Sequence, residues 1–388
     1  MKWTLQAGLL LALTASPALA QAGAAPAADA PWSVRMARSL IKRHPVVSSK
    51  WSYTNGVALL ALRRVGLYTG DPSYLEYVKR NMDGFVTPDG QIRTYDASEF
   101  QLDAINQGRL LFPLYVRTGD ARYREAAFTL RDQLRKQPRT ADGGFWHKTI
   151  YPQQMWLDGL YMAEPFYAQF ARYFDEPADY DDVAKQFLVA ARHMRDPATG
   201  LLYHGWDAVH EQKWADPETG LSPNFWGRAM GWWAMALVDV LDYFPRNHPD
   251  RAELERLLRQ TAEAVARVQD PATGLWYQVL DQPNRAGNYL EASASSMFVY
   301  ALAKGVHQGI LDPKYLGVAE RGYDGILKNL IRVEPDGTVT LTHINEVSGL
   351  GGRPYRSGSF DYYVHAPVVE NDYKGTGAFI MASLELDR

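Results

Sequence analysis

From Trp32 onward the apolar positions recur at three- and four-residue intervals, the period of helices rather than of strands. Leu110, Leu111, Leu114 and Tyr115 share one face, as do Ala229, Trp232, Trp233, Ala236 and Val240. Leu254, Leu257, Leu258, Thr261 and Val265 repeat the pattern over residues 253–268. Strand-like alternation is confined to short pieces such as 337–341. Helices are therefore expected to carry an all-α fold.

Two short motifs punctuate these helices. The first, Thr69-Gly70-Asp71 and Thr118-Gly119-Asp120, reads as a turn between helices, Gly ending one and Asp capping the next. The second is a Gly-centred loop that runs on extended: Asp89-Gly90, Asp142-Gly143, Thr199-Gly200, Thr273-Gly274 and Asp336-Gly337. Their starts lie 53, 57, 74 and 63 residues apart, room for two helices of about 11–12 residues plus loops. Five such loops, with a helix pair before the first, predict about six helical hairpins. Hairpins of this kind close into an α/α toroid with the Gly-rich loops at one mouth; an open α-solenoid is the alternative.

The ends and the composition narrow the picture. Met1–Ala20 combines Lys2, an apolar stretch from Ala7 to Ala15 and a small-residue site at Ala18-Leu19-Ala20, the pattern of a secretory signal peptide. Residues 21–31 read as a disordered leader and, with no Pro/Ser/Gly linker interrupting them, 32–388 as a single domain. Export is expected, to a periplasm first and to the outside as the alternative. A formal charge of −3 on 41 basic and 44 acidic residues gives no broad basic field, which speaks against nucleic-acid and membrane partners. Zero cysteines remove thiol catalysis and zinc–thiolate sites, and nine scattered His lack ligand spacing, so no metal and no cofactor is expected. Eleven Trp, 23 Tyr and 14 Phe supply core but also flat faces for sugar rings.

Asp158 is the costliest residue, set in the otherwise apolar run Met155-Trp156-Leu157-Asp158-Gly159-Leu160-Tyr161-Met162. Poor solvation favours its protonated form, as a general acid requires; the bland reading is a helix cap or a buried hydrogen bond. Asp103, in Leu102-Asp103-Ala104, is a second lone acid with an N-cap reading of its own. Arg228 and Trp232, four apart in Phe225-Trp226-Gly227-Arg228-Ala229-Met230-Gly231-Trp232, share a helix face and could hold a carboxylate and a sugar ring. His147-Lys148 and His204 emerge from Gly-rich loops. Together these residues fit an acidic saccharide. The sequence has no HExxH, Walker loop or Gly-x-Ser-x-Gly, and Gly349-Leu350-Gly351-Gly352 reads as a rim loop.

The runs Gln154–Met162, Phe225–Trp232 and Tyr289-Leu290-Glu291-Ala292-Ser293-Ala294-Ser295 resemble glycoside hydrolase family 105, the unsaturated rhamnogalacturonyl hydrolases and relatives, from about Trp51 to Phe379. The resemblance implies an (α/α)6 barrel and action on oligosaccharides whose non-reducing end is a 4,5-unsaturated uronic acid. It implies that Asp158 is proton donor and base and that Asp103 positions the ring or the water. Arg228 and Trp232 would then hold the uronate, with His147, Lys148, Trp156, His204 and Trp226 lining the pocket. Met162 would be an apolar wall, and Tyr53, Ser348 and Gly349 further contacts. Ser357 and Ala366 depart from the family pattern, where Asp and Glu are expected, which bears on the leaving sugar. The expected partner is an acidic oligosaccharide, of rhamnogalacturonan type, with glucuronyl substrates from ulvan, arabinogalactan or glycosaminoglycan as alternatives. An ordinary inverting glycosidase, a sugar epimerase or a saccharide-binding protein could use the same toroid.

Overall fold

The computed structural model describes residues 30–387. The signal-peptide expectation for residues 1–20, and most of the leader, lie outside these residues. The leader stops short of residue 31: Ala30 packs on the core, and the Pro31 carbonyl accepts the N–H groups of Val34 and Arg35 at 3.0 Å.

Thirteen α-helices follow in order: α1 Trp32–Arg43, α2 Tyr53–Thr69, α3 Pro72–Phe85, α4 Leu111–Thr118, α5 Ala121–Lys136, α6 Leu157–Phe174, α7 Asp179–Met194, α8 Gly227–Leu241, α9 Arg251–Arg267, α10 Ala292–His307, α11 Lys314–Asn329, the short α12 Phe360–His365, and α13 Tyr373–Leu386. Two classes separate by burial. Every residue of α8 is buried, as is α10 through Gly305, so these helices have neighbours all round. By contrast α9 buries only Leu254, Leu257, Leu258, Thr261, Ala262, Ala264 and Val265, one face of an otherwise wet helix.

The buried helices form a ring. α2 packs on a 3₁₀ stretch, Asn106–Leu110, that runs into α4; this stretch packs on α6, α6 on α8, α8 on α10, α10 on α13, and α13 back on α2. Closure excludes the open solenoid and gives the expected (α/α)6 barrel. Five outer helices, α3, α5, α7, α9 and α11, each follow their inner partner in sequence. The sixth pair breaks that order: α13 is covered by α1, so the first and last helices form one hairpin. Ser33 Oγ donates to Asp387 Oδ2 at 2.8 Å across that joint.

The predicted loop glycines 90, 143, 200, 274 and 337 all have φ between 75 and 88°. Gly70 and Gly119 end α2 and α4 in the left-handed region, and Asp71 and Asp120 cap α3 and α5 through the amides of Ser73 and Arg122. Strands are short antiparallel pairs: β1 Gln154–Trp156 with β2 Gly205–Asp207, β3 Ile331–Val333 with β4 Val339–Leu341, and β5 Ile344–Asn345 with β6 Val368–Val369.

Candidate active site

The inner helices all begin at one mouth, so their unpaired amide groups and dipoles turn a partial positive charge toward it. The loops that lead into them are tied one to the next. Leu102 N–H donates to His147 O (3.1 Å), His147 N–H to Gln154 O (2.8 Å), Leu157 N–H to His204 O (3.0 Å) and Gly227 N–H to Gln278 O (2.8 Å). The β1–β2 register, with Trp156 opposite Gly205, completes the link. This girdle brings Asp103, His147, Asp158 and His204 together although they span a hundred residues.

Asp158 lies in the first turn of α6, with its side chain 13% exposed. Its Oδ2 is 3.1 Å from Nε2 of His204, whose side chain is fully buried. The approach is close, but neither atom has the alignment of a hydrogen bond. On the other side of the ring, Nδ1 lies 2.7 Å from the Tyr363 hydroxyl. That hydroxyl has no other partner among the described residues, and burial raises Tyr363 well above its usual value, so it is a neutral donor. Donation to Nδ1 leaves the Nε2–H of His204 facing Asp158. The surroundings expected to be wholly apolar thus include an imidazole and the amide end of a helix.

Asp103 differs in its partners. Lys148 Nζ reaches Oδ2 at 2.7 Å and His147 Nε2 is 3.4 Å from Oδ1. Burial works against its charge, yet the neighbouring Lys148 and His147 hold its carboxyl below the usual range. For His147 burial wins: despite Asp103, its pKa falls to about 4. A neutral imidazole at pH 7 carries no charge, so Lys148 is the cation that keeps Asp103 ionised. In return Asp103 raises Lys148, against the effect of burial.

Arg228 departs from its expected role. Nε donates to Ser293 Oγ (2.8 Å), Nη1 to the Glu346 carbonyl (3.2 Å) and Nη2 to the Asn345 carbonyl, with Glu291 at 3.6 Å. Only 1% exposed, the guanidinium offers no free fork to a sugar acid; it anchors the 345–346 segment. Glu291 caps α10 through the Ala294 amide at 2.6 Å and binds Ser293. The third motif is therefore a buried brace.

The tryptophans are walls. Trp156 is stacked between His147 (4.6 Å) and Tyr151 (4.7 Å). Trp226 stacks on Tyr363 and donates to Gln278 Oε1. Trp232 lies on Tyr161 at 4.8 Å, with Tyr53 edge-on at 6.3 Å. Tyr53 is half-buried at the start of α2 and feels the charges of Asp103, Arg228 and Asp158. Met162 is buried in α6, one turn past Asp158. Ser348 Oγ donates to Asn345 Oδ1 at 3.0 Å, and Gly349 N–H to the Tyr362 hydroxyl at 3.0 Å.

Sequence reasoning missed Tyr363, Tyr151, Arg356 and Lys374. Arg356 lies over Tyr151 and Trp156 and donates to the Tyr151 hydroxyl at 2.6 Å. Lys374 pairs with Asp372 at 2.8 Å, and burial together with Arg228 lowers its pKa. Nothing in their local sequence separates these residues from other rim Tyr, Arg and Lys. Among the described residues the grouping spaced to hold a cation is Asp181, His248 and Asp250, on α7 and the α8–α9 connection rather than at the mouth.

The sequence model of the family described as Glycosyl Hydrolase Family 88 matches residues 32–388. The chain is 43% identical to a glycoside hydrolase from family 105 of C. acetobutylicum ATCC 824, with a TM-score of 0.90 over 92% of this chain and 99% of that one. It is 29% identical over 307 residues to the unsaturated rhamnogalacturonyl hydrolase YesR of Bacillus subtilis (strain 168), covering 78% of this chain and 81% of that one. It is also 28% identical over 235 residues to an unsaturated 3S-rhamnoglycuronyl hydrolase of Alteromonas sp. (strain LOR), covering 60% of this chain and 50% of that one. The chain therefore belongs to the glycosidases of the related glycosyl hydrolase families 88 and 105, which act on unsaturated uronic acids.

Proposed function

We propose that the enzyme removes the 4,5-unsaturated uronic acid from the non-reducing end of lyase-cut rhamnogalacturonan fragments, with Asp158 as proton donor and base. The observation that carries the roles is the contrast between the two carboxylates at the mouth. Asp103 is committed as an anion by Lys148. Among the described residues Asp158 has no lysine or arginine within ion-pairing distance, and its one charged or chargeable neighbour at that range is His204. Two carboxyl groups with such different partners divide the work of acid and anchor.

The Asp158 carboxyl gives its proton to C4 of the enol-ether double bond, and positive charge develops at C5 beside the ring oxygen. Water adds at C5 and returns a proton to the Asp158 carboxylate. The C5 hemiketal then opens to a ketone, and the C1 hemiacetal so formed expels the neighbouring sugar as an alcohol. One water is consumed and Asp158 is regenerated. In this sequence Asp103 orients the water or the ring, and the Nε2–H of His204 faces the Asp158 oxygen that does not transfer the proton.

Rhamnogalacturonan is favoured because the likeness to YesR runs over 78% of this chain, against 60% for the rhamnoglycuronyl relative. Lyase-cut rhamnogalacturonan should lose its conjugated-carboxylate absorbance as sugar is released, and water labelled with heavy oxygen should enter at C5. Label at C1 with the absorbance intact would mean ordinary glycosidic cleavage. Asp158→Asn should lower kcat by several kcal/mol of barrier and leave KM nearly unchanged. A panel of unsaturated galacturonyl-rhamnose, glucuronyl-rhamnose and glycosaminoglycan disaccharides ranks the substrates; preference for either of the latter two overturns the rhamnogalacturonan assignment.

A further inference from the structure

The end of the barrel opposite the catalytic mouth holds an opening of about 510 Å³, at the final turns of the inner helices. Its wall includes Arg63, Arg64, Arg109 and Lys304. Their counter-charge is limited. Asp239, fully buried, accepts from Lys304 (2.6 Å), Arg109 (2.8 Å), Arg64 (3.3 Å) and the Tyr300 hydroxyl (2.6 Å). Asp242 is taken by Lys304 at 2.5 Å, and His307 pairs with Glu385 at 3.0 Å. Asp239 and Asp242 thus pair with three of the four cations, and the fourth, Arg63, has no hydrogen bond or carboxylate partner among the described residues. Burial, with Arg64 and Arg109 close by, lowers the pKa of Arg63, as expected of a cation lacking a counter-ion.

Unsatisfied buried groups face the same place. Arg109 is 4% exposed, yet its Nε and Nη1 have no hydrogen-bond partner; the Tyr161 hydroxyl stands nearby without the required alignment. Gln169, 5% exposed, leaves Oε1 unpaired, and Gln308 leaves its Oε1 unpaired too. Native structures rarely leave such groups idle without a ligand, ion or water to meet them. The Arg109 guanidinium lies over the Tyr161 ring at 5.4 Å, Tyr161 stacks on Trp232, and Trp232 meets Tyr53 of the mouth.

We propose that this opening binds a small, sugar-sized oxyanion, its carboxylate or phosphate held by Arg63 and Arg109 and its hydroxyl groups by Gln169 and Gln308. The volume lies within the usual range of small-ligand pockets, roughly 300–1,000 Å³. A guanidinium fork grips a planar or tetrahedral oxyanion with two parallel hydrogen bonds, and bound ligand supplies the missing negative charge.

Thermal unfolding of the whole enzyme with galacturonate, with inorganic phosphate and with neutral galactose, at matched ionic strength, tests the site. Galacturonate or phosphate should raise Tm saturably, and galactose should not. A rise with galacturonate alone assigns the site to a sugar carboxylate, and a rise with phosphate alone to a phosphate group; either upholds it. Arg63→Gln should weaken the effect roughly tenfold or more while hydrolysis proceeds at the normal rate. Its own Tm should match or exceed wild type, because the lost charge had no partner. Arg63→Lys, which keeps charge without the fork, should weaken binding less. No rise with either anion, or a rise that survives Arg63→Gln, overturns the proposal.

Discussion

At the residue scale, the mouth is governed by which charges are matched. His147 is kept neutral by burial, its pKa lowered to about 4, while an unfolded chain takes up that proton near 6.5. Below pH 6.5 the unfolded state therefore gains protons that the native state refuses. Stability should fall between pH 6.5 and 4 by up to about 3 kcal/mol and then level off as the native ring charges. Asp103 acts in a separate, lower window: its depressed pKa makes its contribution complete above the ordinary carboxyl value and lost only below it. Urea midpoints at pH 7 and pH 5 should converge in His147→Gln; an unchanged gap would remove His147 as the cause. The two acids stood out because isolated charges in apolar runs are costly, whereas His147, Lys148 and His204 were picked out as residues of Gly-rich loops and their pairing with Asp103 and Asp158 was not legible. Arg228 was placed correctly on a face with Trp232, but its partners Ser293, Asn345 and Glu346 lie 65 to 118 residues away in the chain. No local spacing announces contacts of that range, so a brace was read as a clamp.

At the element scale, the helices and their stops follow from the three-to-four-residue period and from Gly-Asp turns. The 3₁₀ stretch Asn106–Leu110 and the pairing of rim loops were not legible, since both depend on neighbours in the ring. The segment after β5 shows how tight those neighbours are. A Cβ at Gly349 would lie 2.3 Å from Arg356 Nη1 and 3.3 Å from the Trp156 ring, and one at Gly205 would lie 2.6 Å from Leu350. The Arg356 side chain is the movable member. Gly349→Ala should push it off Tyr151 and Trp156, raising KM severalfold and costing no more than about 1–3 kcal/mol of stability. Steady-state kinetics and a melting curve check this; a collapsed kcat with normal KM would show that the loop serves the chemistry instead of the pocket wall.

At the scale of the whole molecule, the count of six hairpins was legible but not their order. Five Gly loops imply a simple series, whereas α1 covers α13 and leaves five consecutive pairs plus one made from the two ends. Apolar periodicity says that a helix needs a cover without saying which helix supplies it. Deleting residues 32–43 should bare the outer side of α13 and abolish a cooperative melt. A permutant with joined ends, opened at the turn between α4 and α5 before the exposed Gly119, should keep both fold and hydrolysis. A wild-type melt after the deletion would show that α1 is dispensable.

That joint also orders events in time. Ser33 and Asp387 are 354 positions apart, so during synthesis α1 is made long before α13, the helix it covers. Contacts of such separation form slowly and leave greasy surface available to chaperones or to aggregation in the interval. Biosynthesis thus leaves the ring open until α13 is made, with the faces of α1, α2 and α10 that it covers bare in the interval.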